Sequence, residues 1–367
     1  MTSAPRTRRE FLTTTAAALT GAALAPQTIA AAATAPPALP EPSASKLPRW
    51  RGFNLLELFN ADWSKPFEET DFEWIAEWKF NFVRLPMSYR CWVEQDDWLK
   101  FKEPMLQRVD QAVEYGRKHG VHVNLNLHRA PGYCVNPPVE PLDLFADESA
   151  LTACAQHWAL FAKRFKGIPN RQLSFDLLNE PKDLPVEKYV RVVRRLVEAI
   201  RAEDPQRLII ADGLKWGTVP VPELAPLGIG QSTRGYTPFP LTHYRASWAS
   251  GADKFPVPTW PVKDGDKITF DQARLRRETI EPWQKLAAQG VGVHVGEWGT
   301  HHFTPHAVTL AWMRDVLELW QNAGWGWALW NFRGSFGVLD SNRKDVTYQD
   351  WRGHKLDRQM LDLLQRA

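Results

Sequence analysis

The sequence is poor in cysteine, with only Cys91, Cys134 and Cys154 in 367 residues. An odd count allows at most one disulfide and leaves a thiol over, which excludes a disulfide scaffold. Their spacing fits no zinc pattern. His294, His301, His302 and His306 supply none either, since no H-E-x-x-H is present. The G-x-S-x-G elbow of serine hydrolases is missing, as are G-x-G-x-x-G and phosphate-loop glycines. An excess of either sign of charge is small too, with 45 Lys and Arg against 42 Asp and Glu. The formal balance is +3, which gives no reason to expect nucleic acid or an anionic membrane as a partner. No metal and no cofactor are expected.

The start of the chain is set apart from the rest. Thr7-Arg8-Arg9-Glu10-Phe11-Leu12 precedes an uncharged stretch at 13–25 and small residues at 30–35. A basic start, a short apolar middle and an A-x-A-like end describe an export signal over residues 1–34, and the arginine pair resembles the twin-arginine type. The apolar stretch falls well short of the roughly 20 residues that span a bilayer, so stable membrane insertion is not expected. Removing Arg6, Arg8, Arg9 and Glu10 leaves the remaining chain near +1. Residues 35–48, rich in Pro, Ala and Ser, read as a linker. Residues 49–367 suit one large domain, periplasmic or extracellular and acting as a monomer.

What the chain does have is tryptophan, 18 of them. Each buried indole N–H needs a partner, whereas the flat, amphipathic face of a sugar gives an exposed indole another use. Short apolar runs alternate with helical stretches. Strands are expected at 52–58, 80–87, 121–128, 173–180, 208–212, 240–244, 291–297 and 325–331. Between them Leu106, Val109 and Val113, and again Val190, Val193, Leu196 and Ile200, share helix faces. Eight such units predict a single (β/α)8 barrel. The pattern is weakest over 220–240, expected as an irregular fifth helix. The stretch 245–268 reads as a loop over one mouth.

The ends of the expected strands carry Arg84, His128, Asn179-Glu180, His243-Tyr244, Glu297 and Trp330. In a barrel those ends converge on one mouth. One such polar end is unremarkable; five or six are hard to explain as structure, because ionisable groups closing apolar strands are costly unless paired or functional. Two glutamates among them suggest glycosidic bond cleavage. That reaction needs a proton for the leaving oxygen and a carboxylate facing the oxocarbenium-like carbon.

Leu178-Asn179-Glu180-Pro181 after one strand and Gly296-Glu297-Trp298-Gly299 after another resemble glycoside hydrolase family 5, within the clan of retaining (β/α)8 enzymes. Phe82-Val83-Arg84-Leu85-Pro86 and Trp330 narrow the resemblance toward that family. It implies Glu180 as acid/base, Glu297 as nucleophile, Asn179 on the sugar 2-hydroxyl and Arg84 beside Glu297. It also implies His128 and His243 as orienting groups and Trp330 as the floor of the central sugar site. One motif departs. The family commonly ends its sixth strand with His-x-Tyr, the tyrosine bonding the nucleophile, where this sequence reads His243-Tyr244-Arg245. Either Tyr244 or Arg245 then faces Glu297. Candidate sugar platforms are Trp92, Trp216, Trp248, Trp260 and Trp298, with Trp298 and Trp248 the favoured pair, and His301 or His302 could line the groove. The substrate implied is a β-linked glucan, mannan or related glycan. An exo-acting glycosidase on short oligosaccharides or glycolipids, and a non-catalytic sugar-binding barrel, are the competing readings.

Overall fold

A computed structural model describes residues 39–95 and 97–367. The export signal expected at 1–34 lies outside the described residues. Eight parallel strands form the centre: β1 (Arg51–Asn54), β2 (Phe82–Ser88), β3 (His122–Ala130), β4 (Leu173–Asp176), β5 (Ile209–Asp212), β6 (Gly230–Gly235), β7 (Val293–Trp298) and β8 (Gly326–Leu329). Each pairs with its neighbour in chain order, and β8 pairs with β1, so the sheet closes on itself. This is the expected (β/α)8 barrel. Around it lie α1 (Glu69–Glu77), α2 (Glu103–His119), α3 (Glu148–Arg164), α4 (Val186–Glu203), α5 (Glu281–Ala287), α6 (His306–Ala323) and α7 (Arg358–Arg366). Among the described residues no helix is long and apolar enough to cross a membrane.

Strand alternation sorts the side chains into two populations. Outward residues such as Val83, Leu85, Val123, Leu125 and Ile209 join the large core between sheet and helices. Inward residues fill the lumen in layers. Trp50, Phe82, Leu208, Ile210 and Ala328 form an apolar base with Leu47, and Asn54, Arg84, Asn126, Asp176, Asp212 and Arg234 stand buried as a polar group. Leu47 belongs to the stretch expected as a linker. It is buried, and Gly292 N–H donates to the Ala44 carbonyl at 2.7 Å, so the described end of that stretch plugs the barrel floor.

One strand is not where the sequence pattern puts it. Residues 240–244, expected as the sixth strand, lie mostly in a short helix, Phe239–Thr242. The sixth strand is Gly-Gln-Ser-Thr-Arg-Gly at 230–235, inside the stretch expected as an irregular helix. It is buried at all six positions yet has no apolar side chain, so no hydrophobic period marks it. Its outward polar groups are met by the preceding loop. Gln231 Nε2 donates to the Val221 carbonyl at 2.7 Å, and Thr233 Oγ1 donates to the Gly217 carbonyl at 3.1 Å.

Strand β7 carries a bulge. The register against β6 and β8 shifts after Val295, and a bulge re-aims side chains on either side of it. Glu297 consequently reaches the mouth, and Trp298 turns outward onto Trp320 and Trp327, at ring distances of 4.9 and 5.3 Å.

Candidate active site

Arg84 on β2 is nearly inaccessible to water and spends its donors on four partners. Nη1 donates to Glu297 Oε1 at 2.5 Å and Asn54 Oδ1 at 3.1 Å, Nε to Asp176 Oδ2 at 2.8 Å, and Nη2 to Asn179 Oδ1 at 2.9 Å. A planar guanidinium held at every edge gives Glu297 a fixed cationic neighbour. The other oxygen of Glu297 accepts from Tyr236 Oη at 3.2 Å. Both carboxylate oxygens therefore have donors, and the group is directed rather than free to rotate.

Asn179 is oriented by its surroundings. Its Oδ1 accepts from Arg84 and, at 2.9 Å, from Arg234 Nη2. The amide nitrogen is left to face His128 Nε2, 3.3 Å away. With Nε2 accepting, the imidazole proton sits on Nδ1, which lies 3.9 Å from Glu297 Oε1. Burial, with Arg84 nearby, keeps His128 neutral by holding its pKa well below the ordinary value.

Glu180 follows β4 with φ near +49°, a left-handed conformation that glutamate adopts at some cost. Its neighbours hold it there. Its N–H donates to Asp212 Oδ2 at 2.8 Å, and its carbonyl accepts from Tyr133 Oη at 2.7 Å. The Glu180 side chain accepts from Arg234 Nε at 3.1 Å and is partly open to solvent. Burial first, then the charge of Glu297, pushes its carboxyl above the ordinary range; Arg234 pulls the other way. Two carboxyl groups on either side of Arg234 thus stand in contrasting surroundings. One is braced by donors and the other is favoured to keep its proton.

Of the expected site residues, Arg84, His128, Asn179, Glu180 and Glu297 are brought together, with Trp330 stacked on His128 at 5.6 Å. Tyr244 and Arg245 are not. Because β6 is 230–235, the motif at its end is Arg234-Gly235-Tyr236, and Tyr236 is the tyrosine on Glu297. The Tyr244 carbonyl bonds His301 Nδ1 at 3.1 Å, and Arg245 is exposed over the Tyr244 ring. His243 sits one layer out, its ring edge-on to Tyr236 at 5.0 Å and stacked on Phe239 at 4.1 Å. A Tyr236→Phe protein should lose kcat by about tenfold or more, because its hydroxyl is one of the two donors that hold the Glu297 carboxylate. Tyr244→Phe should change kcat little, and steady-state rates of the two variants test the reassignment.

Trp298 is likewise not a sugar platform. It is wholly buried among Trp312, Trp320 and Trp327. Trp298→Ala should lower stability by about 3–5 kcal/mol, as for other buried aromatics. A urea midpoint that stays put while KM rises would reinstate the platform. Trp92 is core as well, whereas Trp248 and Trp216 are exposed. Sequence reasoning missed Trp63, Tyr133, Asp176, Asp212, Arg234 and Tyr236. The pairing Asp212-Gly213, closing an apolar run as Asn179-Glu180 does, was the available signal for one of them.

The sequence model of the cellulase family, glycosyl hydrolase family 5, matches residues 41–335. Endoglucanase C of Acetivibrio thermocellus is 26% identical over 306 residues, covering 77% of this chain and 88% of the relative. A solved glycoside hydrolase superposes with a TM-score of 0.82 at 39% identity, covering 87% of this chain and 99% of that one. The endoglucanase Cel5A from the hyperthermophilic Thermotoga maritima gives 0.70 at 26%, covering 86% and 96%. The family match runs from beneath the barrel floor past the end of β8 and takes in both glutamates, so the chain belongs to glycosyl hydrolase family 5 and is a glycosidase.

Proposed function

We propose that the protein cleaves the interior of a β-linked glucan with retention, Glu297 acting as nucleophile and Glu180 as acid and then base. The observation that carries this reading is the asymmetry of the two carboxyl groups: Glu297 is braced through both oxygens by Arg84 and Tyr236, and Glu180 is favoured to hold a proton. In the first displacement a Glu297 oxygen bonds the anomeric carbon while the Glu180 proton passes to the departing oxygen. In the second, Glu180 takes a proton from water, whose oxygen bonds that carbon and releases Glu297. Asn179 Nδ2 and the Trp330 ring meet the sugar at this point.

Attack within a chain is supported by where the exposed tryptophans stand. Trp63 follows β1 and Trp216 follows β5, on opposite sides of an eight-stranded mouth, and each is about half exposed, 51% and 50%. A glycan lying across both would span the mouth to which β4 and β7 bring the two glutamates. Relatives that are endoglucanases favour glucan over mannan or xylan. Export through residues 1–34 and action as a monomer complete the reading.

A hydrolysis screen of the chain without residues 1–34 against β-1,4-glucan, β-1,3-glucan, mannan and xylan, with product anomers followed by NMR, tests it. Rapid loss of β-1,4-glucan viscosity with initial release of the β-anomer is expected. Initial release of the α-anomer would overturn retention, and cleavage of short oligosaccharides alone would overturn chain-internal attack.

A further inference from the structure

The motif that ends β6 reads Arg234-Gly235-Tyr236, with arginine where the resemblance implies histidine, and it places a permanent charge against Glu180. Arg234 Nε donates to Glu180 Oε1 at 3.1 Å, and Nη2 lies 3.5 Å from Glu297 Oε1. Its remaining donors are all used. Nη2 meets Asn179 Oδ1, Nη1 meets Asp212 Oδ1 and Ser232 Oγ, each at 3.0 Å, and Asp212 Oδ2 closes a bidentate pair. The fold makes room for this group. A Cβ on Gly217 would lie 2.7 Å from Arg234 Cγ, and one on Gly296 would lie 2.8 Å from Nη1. Neither position could bear a side chain with Arg234 where it is.

We infer that Arg234 is a positioning residue for the second displacement, holding Glu180 as a carboxylate once Glu297 has been esterified by the sugar. The argument rests on the roles assigned above to Glu180 and Glu297. While Glu297 is an anion, its charge and burial both oppose ionisation of Glu180, and Arg234 only offsets them. When the Glu297 oxygen bonds the anomeric carbon, that anion disappears. Arg234 does not move, because Asp212, Asn179 and Ser232 fix it, and its attraction for a Glu180 carboxylate is then opposed by less. A histidine of ordinary pKa could be neutral at this point, whereas arginine stays charged. The other charged and titratable groups facing Glu180 are Asp212 on β5, Arg84 on β2, Asp176 on β4, His128 and Tyr133 around β3, and Tyr236 after β6. Among them Arg84 is the other fixed cation, and it is bonded to Asp176 and Glu297 rather than to Glu180.

The experiment compares Arg234→Gln combined with Asp212→Asn, which avoids stranding a buried carboxylate, with Arg234→Lys and a Glu180→Ala control. The probes are phenyl and 2,4-dinitrophenyl β-cellobioside. Dinitrophenolate leaves without a proton, so its kcat reads the second displacement, and phenolate needs the acid, so its kcat/KM reads the first. In the double variant kcat on the dinitrophenyl substrate should fall by about tenfold or more, within the range of general-base losses. Azide, which attacks the glycosyl-enzyme without needing a base, should restore most of it. The alkaline limb of kcat/KM on the phenyl substrate should move to higher pH, because losing Arg234, which favours ionisation of Glu180, outweighs losing Asp212, which opposes it. Arg234→Lys should recover part of both. Parallel losses on both substrates, with no azide rescue and an unmoved limb, would make Arg234 a structural strut and overturn the inference. If Glu180→Ala instead keeps its full rate on the phenyl substrate, the acid/base assignment itself is wrong.

Discussion

Glu297→Ala should lower kcat on β-1,4-glucan by more than about 10⁴-fold, the scale on which losing a covalent nucleophile acts elsewhere. On the proposed roles, the variant removes the attacking carboxylate and leaves Arg84 Nη1 and Tyr236 Oη facing the space it filled. That space makes the result diagnostic. Azide entering it attacks an activated β-glycoside once, from the opposite face, and yields the α-glycosyl azide. A folded variant, checked by circular dichroism, that keeps more than about a hundredth of wild-type turnover would end the assignment.

Glu180→Ala should behave differently with different leaving groups. On glucan or phenyl glycosides, kcat/KM should fall by about 10²–10⁴-fold, the worth of general acid catalysis. On dinitrophenyl glycosides it should fall far less. Azide should now give the β-glycosyl azide, because two displacements occur and Glu297 still performs the first. The pH profile carries a second signature. Glu180 serves as acid only while protonated, and burial with the charge of Glu297 moves its titration upward from the ordinary carboxylate value. Wild-type kcat/KM should therefore hold into a pH range where an ordinary glutamate would already be ionised, then decline. That decline should be absent from the variant on the dinitrophenyl substrate. An alkaline limb that survives the substitution belongs to another group.

Seven of the eight strands are legible in the sequence because their outward residues are apolar, as in Val83, Leu85 and Val123, whatever the lumen contains. The eighth, β6, is not, since it is polar on both sides. Arg234 and Ser232 serve the site, while Gln231 and Thr233 bond the loop before it. One misplaced strand then displaced the tyrosine by eight residues, from Tyr236 to Tyr244, although the expectation that a tyrosine meets Glu297 held. The two glutamates were readable because each stands beside residues that only a strand end would bring together. Trp298 was misread for a subtler reason. Adjacency to Glu297 in the chain suggests adjacency in the site, and in a strand the reverse is usual.

That reversal ties catalysis to packing through the bulge in β7. A slip of one residue along this strand would push Glu297 into the layer of Trp312, Trp320 and Trp327 and lift Trp298 into the mouth. The tryptophan layer therefore works as an alignment key. A chain that packs this layer has Glu297 already aimed at the mouth. Redesign of this barrel for stability has to treat the outer face of β7 as part of the active site, though nothing there touches sugar.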